Sequence, residues 1–91
     1  MTRTIKWKQV DSSNVDAVAY DEATQTMCVK FLGGGLYSYE AVGIGIFTSL
    51  ENADSVGGFL NRVIKPYFSY NKWVSEADLL EHINTPIKHR T

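Results

Sequence analysis

Few residues in this sequence could do covalent chemistry. Cys28 is the single cysteine, and His82 and His89 are the two histidines, both near the C-terminus. A nucleophilic thiol needs a base beside it and a cause for a lowered pKa. The sequence supplies neither near Cys28, so a small apolar strand residue is the preferred reading, as free cysteine is among the most buried residue types. Two histidines without acidic or cysteine partners at ligand spacing make no zinc-type set. The expectation is no catalytic residue, no metal and no cofactor. No acid, base and nucleophile can be assembled, so a non-enzymatic protein is expected.

Binding chemistry has more to work with. Gly33-Gly34-Gly35 has the composition of a phosphate loop, but it runs into a strand rather than a helix N-terminus, so a hairpin turn is preferred. Ser55, Gly57 and Gly58 open a helix and let a ligand approach the backbone, which makes them a candidate anion site; helix capping and close packing explain the same residues more simply. Tyr37 and Tyr39 share one face of a strand at their two-residue spacing and could stack on bases. Core packing is the preferred reading for both rings. Between Arg62 and Trp73, the cations Arg62, Lys65 and Lys72 interleave with Tyr67, Phe68, Tyr70 and Trp73. That mixture suits phosphate contacts plus base stacking. Its plain alternative is a helix end whose aromatics finish the core and whose cations complement the helix dipole. Tyr70 and Trp73, past the helix stop, are expected to be more exposed than Tyr67.

The elements that must position these residues follow from periodicity. Thr4 to Val10 alternates loosely, with Ile5 and Trp7 on one side, and suits a short edge strand. Val15 to Tyr20, Thr26 to Phe31 and Leu36 to Glu40 read as three antiparallel strands. A five-residue first loop, Asp21–Gln25, sets Ala19 opposite Met27; a Gly33–Gly35 loop sets Phe31 opposite Tyr37. Both choices put Val15, Ala17, Ala19, Met27, Val29, Phe31, Tyr37 and Tyr39 on one inward face. The other face, with Asp16, Val18, Tyr20, Cys28, Lys30, Leu36, Ser38 and Glu40, is expected to be half-wet.

After Glu40 the period becomes helical. Val42, Ile46, Phe47, Leu50 and Ala53 mark one helix, and Phe59, Leu60, Val63, Ile64 and Tyr67 a second, ended by Pro66. Ser75 caps a third, which carries Leu79, Leu80 and Ile83 and stops at Asn84 and Pro86. Lys88-His89-Arg90 is expected to fray. The fold class is α+β: a three- or four-stranded antiparallel meander against two short helices, plus a C-terminal helix.

Composition bounds the function. Ninety-one residues with 44% apolar and 12% aromatic content make one domain with a single core. The net charge of −1 weighs against a high-affinity, non-specific nucleic-acid binder while leaving room for a local patch. The chain contains neither a long apolar span nor a basic-then-apolar leader, so no membrane partner is expected and the cytoplasm is the default compartment.

The ordered set Val10-Asp11-Ser12-Ser13, Tyr20-Asp21, Val29 to Phe31, Gly35, Tyr37-x-Tyr39, Val42, Leu50, Ala53, Ser55, Gly57, Phe59, Asn61, Ile64 and Tyr67 resembles the KTSC domain. That family is named for its place at the C-terminus of some lysyl-tRNA synthetases, and it also occurs as small stand-alone bacterial and phage proteins. The resemblance divides the chain into an N-terminal extension (residues 1–9), a KTSC-like domain (10–67) and a C-terminal extension (68–91). Gly43 stands where the family often has proline, so the resemblance implies a less fixed helix start. It implies no reaction, and the synthetase context implies RNA. The expected function is a small binding module for single-stranded or structured RNA, through Arg62, Lys65, Tyr70, Lys72 and Trp73. The alternative is a protein-interaction domain, self-associating through the last helix or acting as a phage-encoded factor on a host protein.

Overall fold

In the computed structural model, which describes residues 4–84, five antiparallel strands run in sequence order across one sheet. They are β1 (Lys8–Gln9), β2 (Val15–Asp21), β3 (Thr26–Phe31), β4 (Leu36–Tyr39) and β5 (Tyr70–Trp73). The helices are α1 (Ile44–Glu51), α2 (Val56–Phe59), which continues as a π turn over Leu60–Ile64, and α3 (Glu76–Asn84). The α+β class is as expected, and the sheet is wider than three or four strands because Tyr70–Trp73 adds an outer one. Expectations for Pro86 and Lys88-His89-Arg90 fall outside the described residues.

The strand registers decide what each face carries. Phe31 N–H donates to the Gly35 carbonyl at 2.8 Å, so the second hairpin closes around Leu32-Gly33-Gly34, with Gly34 at φ 98°. Tyr37 pairs with Val29 and Tyr39 with Met27. This differs by two positions from the expected register. An even shift preserves the faces, so Met27, Val29, Phe31, Tyr37 and Tyr39 stay together.

The first hairpin differs by one position, and there the faces change. Asp21 pairs with Thr26, Val18 with Val29 and Ala19 with Cys28. Gln25 takes φ 55°, a left-handed conformation that helps close a four-residue loop where five were expected. Val18 and Tyr20 therefore join the face of Met27 and Val29, while Ala17 and Ala19 turn to the opposite side. A bulge between Val15 and Ala17 absorbs one residue and returns Val15 to the first face.

Both faces are covered. On one, Val15, Val18, Met27, Val29 and Tyr39 pack against Phe47 and Leu50 of α1, Val56 of α2, and Leu60 and Ile64 of the π turn. On the other, Ala19, Cys28 and Leu36 meet Leu79 and Ile83 of α3, with Ile5, Trp7, Trp73 and Leu80 around them. On this second face Cys28, Leu36 and Ser38 are buried, while Lys30 and Glu40 stay partly exposed, as a half-wet face should be. The cap on α3 is as expected, with Asp78 N–H donating to Ser75 Oγ at 3.2 Å.

Candidate functional site

The helices of the first face stop short of the outer strands. Beyond them the sheet carries a cleft of about 470 Å³, lined by Phe31 of β3, Tyr37 and Tyr39 of β4, and Tyr70 of β5. Gly33 and Gly35 form its loop wall, and Lys65, just past the π turn, closes another side. Such a volume is within the range of small-ligand sites.

The rings are mutually inclined. Phe31 and Tyr37 meet edge-to-face at 5.4 Å, while Tyr70 tilts at 48° to Tyr37 and at 45° to Tyr39. Tyr39 is the buried floor, and its hydroxyl pKa is raised by burial first and by Tyr37 and Tyr70 second. Tyr70 is 59% exposed and presents its ring to solvent. The backbone of Gly35 runs close to the ring, since a Cβ there would lie 3.1 Å from Cε1 of Tyr37 and the ring would have to give by a few tenths of an ångström.

Two ammonium groups stand over this aromatic surface. Lys65 Nζ lies 5.4 Å from the Phe31 centroid and Lys72 Nζ 5.9 Å from that of Tyr37. Neither forms an ion pair among the described residues, and none of the residues lining the cleft is acidic. The site therefore offers π faces and uncompensated positive charge, a pairing suited to a ligand with a planar ring and an anionic group.

Of the residues singled out in the sequence, Lys65, Tyr70 and Lys72 come together with Tyr37 and Tyr39. Trp73 faces the other way: it pairs with Leu36, donates from Nε1 to Ser38 Oγ at 2.8 Å, and packs against His82 at 4.8 Å between ring centroids. Arg62 lies back along its helix, close enough that a Cβ on Gly58 would meet its Nη1 at 2.9 Å. Tyr67 is 78% exposed, more than Tyr70, which reverses the expected order. The reason is the π turn, where Lys65 N–H reaches back to the Leu60 carbonyl. One residue more per turn moves Tyr67 off the apolar stripe, and Phe68 packs on the core instead.

Ser55, Gly57 and Gly58 form a local cap. Ser55 Oγ accepts from Gly58 N–H at 3.0 Å, and Gly57 lies beside the side chains of Asn14 and Ser12. Cys28 is buried, and its pKa is pushed up to about 12, by burial first and by Asp21, Glu40 and Glu76 next. Such a thiol stays protonated. His82 Nε2 stands 3.2 Å from Glu40 Oε2, which also accepts from Asn71 Nδ2 at 3.3 Å. Among the described residues no cluster of histidine, cysteine and carboxylate groups could hold a metal ion, and no helix is long and apolar enough to cross a membrane.

Sequence reasoning missed Phe31 and the glycines as walls of one site. The signal was present: a ring on either side of a glycine turn places both rings at the same end of a hairpin. The role of Tyr70 depends on β5, whose pairing with β4 spans some thirty residues of chain and leaves little local trace.

Residues 11–68 match the model of the KTSC domain. The chain belongs to the KTSC domain family. It is 41% identical over 59 residues to a protein of Tsukamurella paurometabola, covering 65% of this chain and 88% of that one. It is also 32% identical over 62 residues to a lysine–tRNA ligase of a Nostoc species, covering 68% of this chain but 11% of the ligase. The crystal structure of a KTSC domain protein from Yersinia pestis superposes with a TM-score of 0.74 at 27% identity, covering 77% of this chain and 99% of that one. β5 and α3 lie beyond the segment that matches the family model.

Proposed function

We propose that this protein is a non-enzymatic, cytoplasmic RNA-binding module, and that the cleft between Phe31, Tyr37, Tyr70 and Lys65 receives single-stranded RNA. The observation that carries the reading is the pair of lysines over an open aromatic cleft. Aromatic rings on a sheet stack on unpaired bases, and lysines beside them neutralise the backbone. The similarity to part of a lysine–tRNA ligase supports RNA over other anions bearing a planar ring. Attraction is local, because a net charge of −1 gives little long-range steering.

Fluorescence anisotropy with a labelled single-stranded oligoribonucleotide at two salt concentrations tests this. The expected result is micromolar binding that weakens with salt, with a slope that flattens by about 0.7 for each phosphate no longer neutralised. The double substitution Lys65→Ala and Lys72→Ala should flatten it in this way, whereas Arg62→Ala should do little. Absence of wild-type binding at low salt would reject the RNA reading. It would favour a protein partner at the outer strand, where Tyr70 is 59% and Val74 97% exposed.

A further inference from the structure

Resting on that reading, we infer that the cleft takes a single nucleotide, one splayed base with its own phosphate, rather than a run of stacked bases. Three features point this way. The ring pairs in contact are inclined by 45°, 48° and 89°, so none of these neighbouring pairs offers parallel platforms for successive bases. Tyr39, which is 2% exposed, forms the floor and Gly33 and Gly35 bound one side, so the site is confined to seven lining residues at one end of the sheet. The positive charge is also at the cleft itself, over Phe31 and Tyr37, not spread along a track.

A planar base enters against Tyr70, the most exposed of the four rings, and its phosphate lies toward Lys65 or Lys72. The cleft is lined by rings, glycines and one lysine, so its side-chain hydrogen-bonding groups are the hydroxyls of Tyr37, Tyr39 and Tyr70 and the Lys65 ammonium. Recognition rests chiefly on the π face and the phosphate, which every nucleotide has. The ligand class is an unpaired nucleotide at a chain end or in a loop, together with free nucleoside monophosphates.

The test compares adenosine monophosphate, a diadenylate and an oligoadenylate of about ten residues on the whole chain. Backbone amide NMR titration and competition against the labelled oligomer provide the readouts. The monophosphate should displace the labelled oligomer completely, and affinity per binding register should be level from the dinucleotide upward. Tyr70→Ala should weaken monophosphate and oligomer alike, by about tenfold, the scale of one base stack. Tyr70 is exposed, so this variant should keep the wild-type amide spectrum; if it unfolds, Lys65→Ala supplies the same comparison from an exposed side chain. Affinity that climbs with each added nucleotide, with no displacement by monophosphate, would overturn the single-nucleotide site while leaving RNA binding standing. Silence from all three ligands would overturn both.

Discussion

The Trp73 indole donates from Nε1 to the Oγ of Ser38 at 2.8 Å, on the face of the sheet opposite to the one its neighbour Lys72 serves. One short strand thus anchors structure with odd positions and furnishes the cleft with even ones. Ser38 is fully buried, so its hydroxyl depends on a partner inside the protein. Trp73→Phe should cost about 1–3 kcal/mol, the penalty for an unsatisfied buried polar group, and leave RNA affinity unchanged. Urea melts and anisotropy check the two halves. Weaker binding at unchanged stability would put Trp73 in the interface.

Lys65 and Lys72 should divide from Trp73 in the opposite sense. Their replacement by alanine should leave the melt within about 0.5 kcal/mol of wild type, the range of ordinary surface changes, while weakening binding and reducing its salt dependence. A large drop in stability in the double variant would mean the lysines hold the fold.

How far this division is legible in the sequence turns on parity. Periodicity places Met27, Val29, Tyr37 and Tyr39 on one face, where they are found, because the second hairpin closes two positions away from the expected register and an even displacement changes no face. Ala17 and Ala19 fall on the opposite face to the expected one because Gln25 adopts a left-handed conformation and shortens the first loop by one residue. Non-glycine residues seldom do this, and nothing in Thr24-Gln25-Thr26 announces it. The π turn likewise displaces Tyr67 by a single inserted residue. The aromatic and cationic composition of the site is visible in the sequence; its division between two faces requires the pairing of β5 with β4.

α3 supports the second face. Leu79 has no exposed surface and packs with Ala19, Cys28 and Leu36. Leu79→Ala should cost about 2–5 kcal/mol, measured by urea denaturation. A change near zero would mean that α3 is not docked on the sheet.

Cys28 gives a pH dependence. Its pKa rises from 9.0 to about 12 in the folded chain, chiefly through burial. A raised acid pKa means that the folded state holds the proton more tightly, so the stabilisation is complete below pH 9.0 and is lost as pH climbs toward about 12. Stability should fall with a steeper alkaline slope in wild type than in Cys28→Ala. At about pH 8, where an exposed thiol is partly ionised, a thiol reagent should react with the native protein no faster than it opens. Rapid labelling of the native state would contradict the buried placement.

Gly43 precedes α1 with φ −67° and open space around its absent Cβ. Proline adopts that φ without strain, so Gly43→Pro should stabilise by about 0.4–1 kcal/mol, mainly by restricting the unfolded chain. Thermal melting checks it, and a lowered midpoint would show that the backbone amide of Gly43 is needed.

The most direct test of the proposal that the cleft binds RNA is amide and side-chain NMR of the labelled protein titrated with single-stranded RNA. The largest shift changes should gather on Phe31, Gly33, Gly35, Tyr37, Lys65, Tyr70 and Lys72, with Leu79, Ile83 and the Trp73 indole unmoved. Changes confined to α3 and the N-terminal segment, or none at RNA concentrations well above those of the protein, would contradict the account.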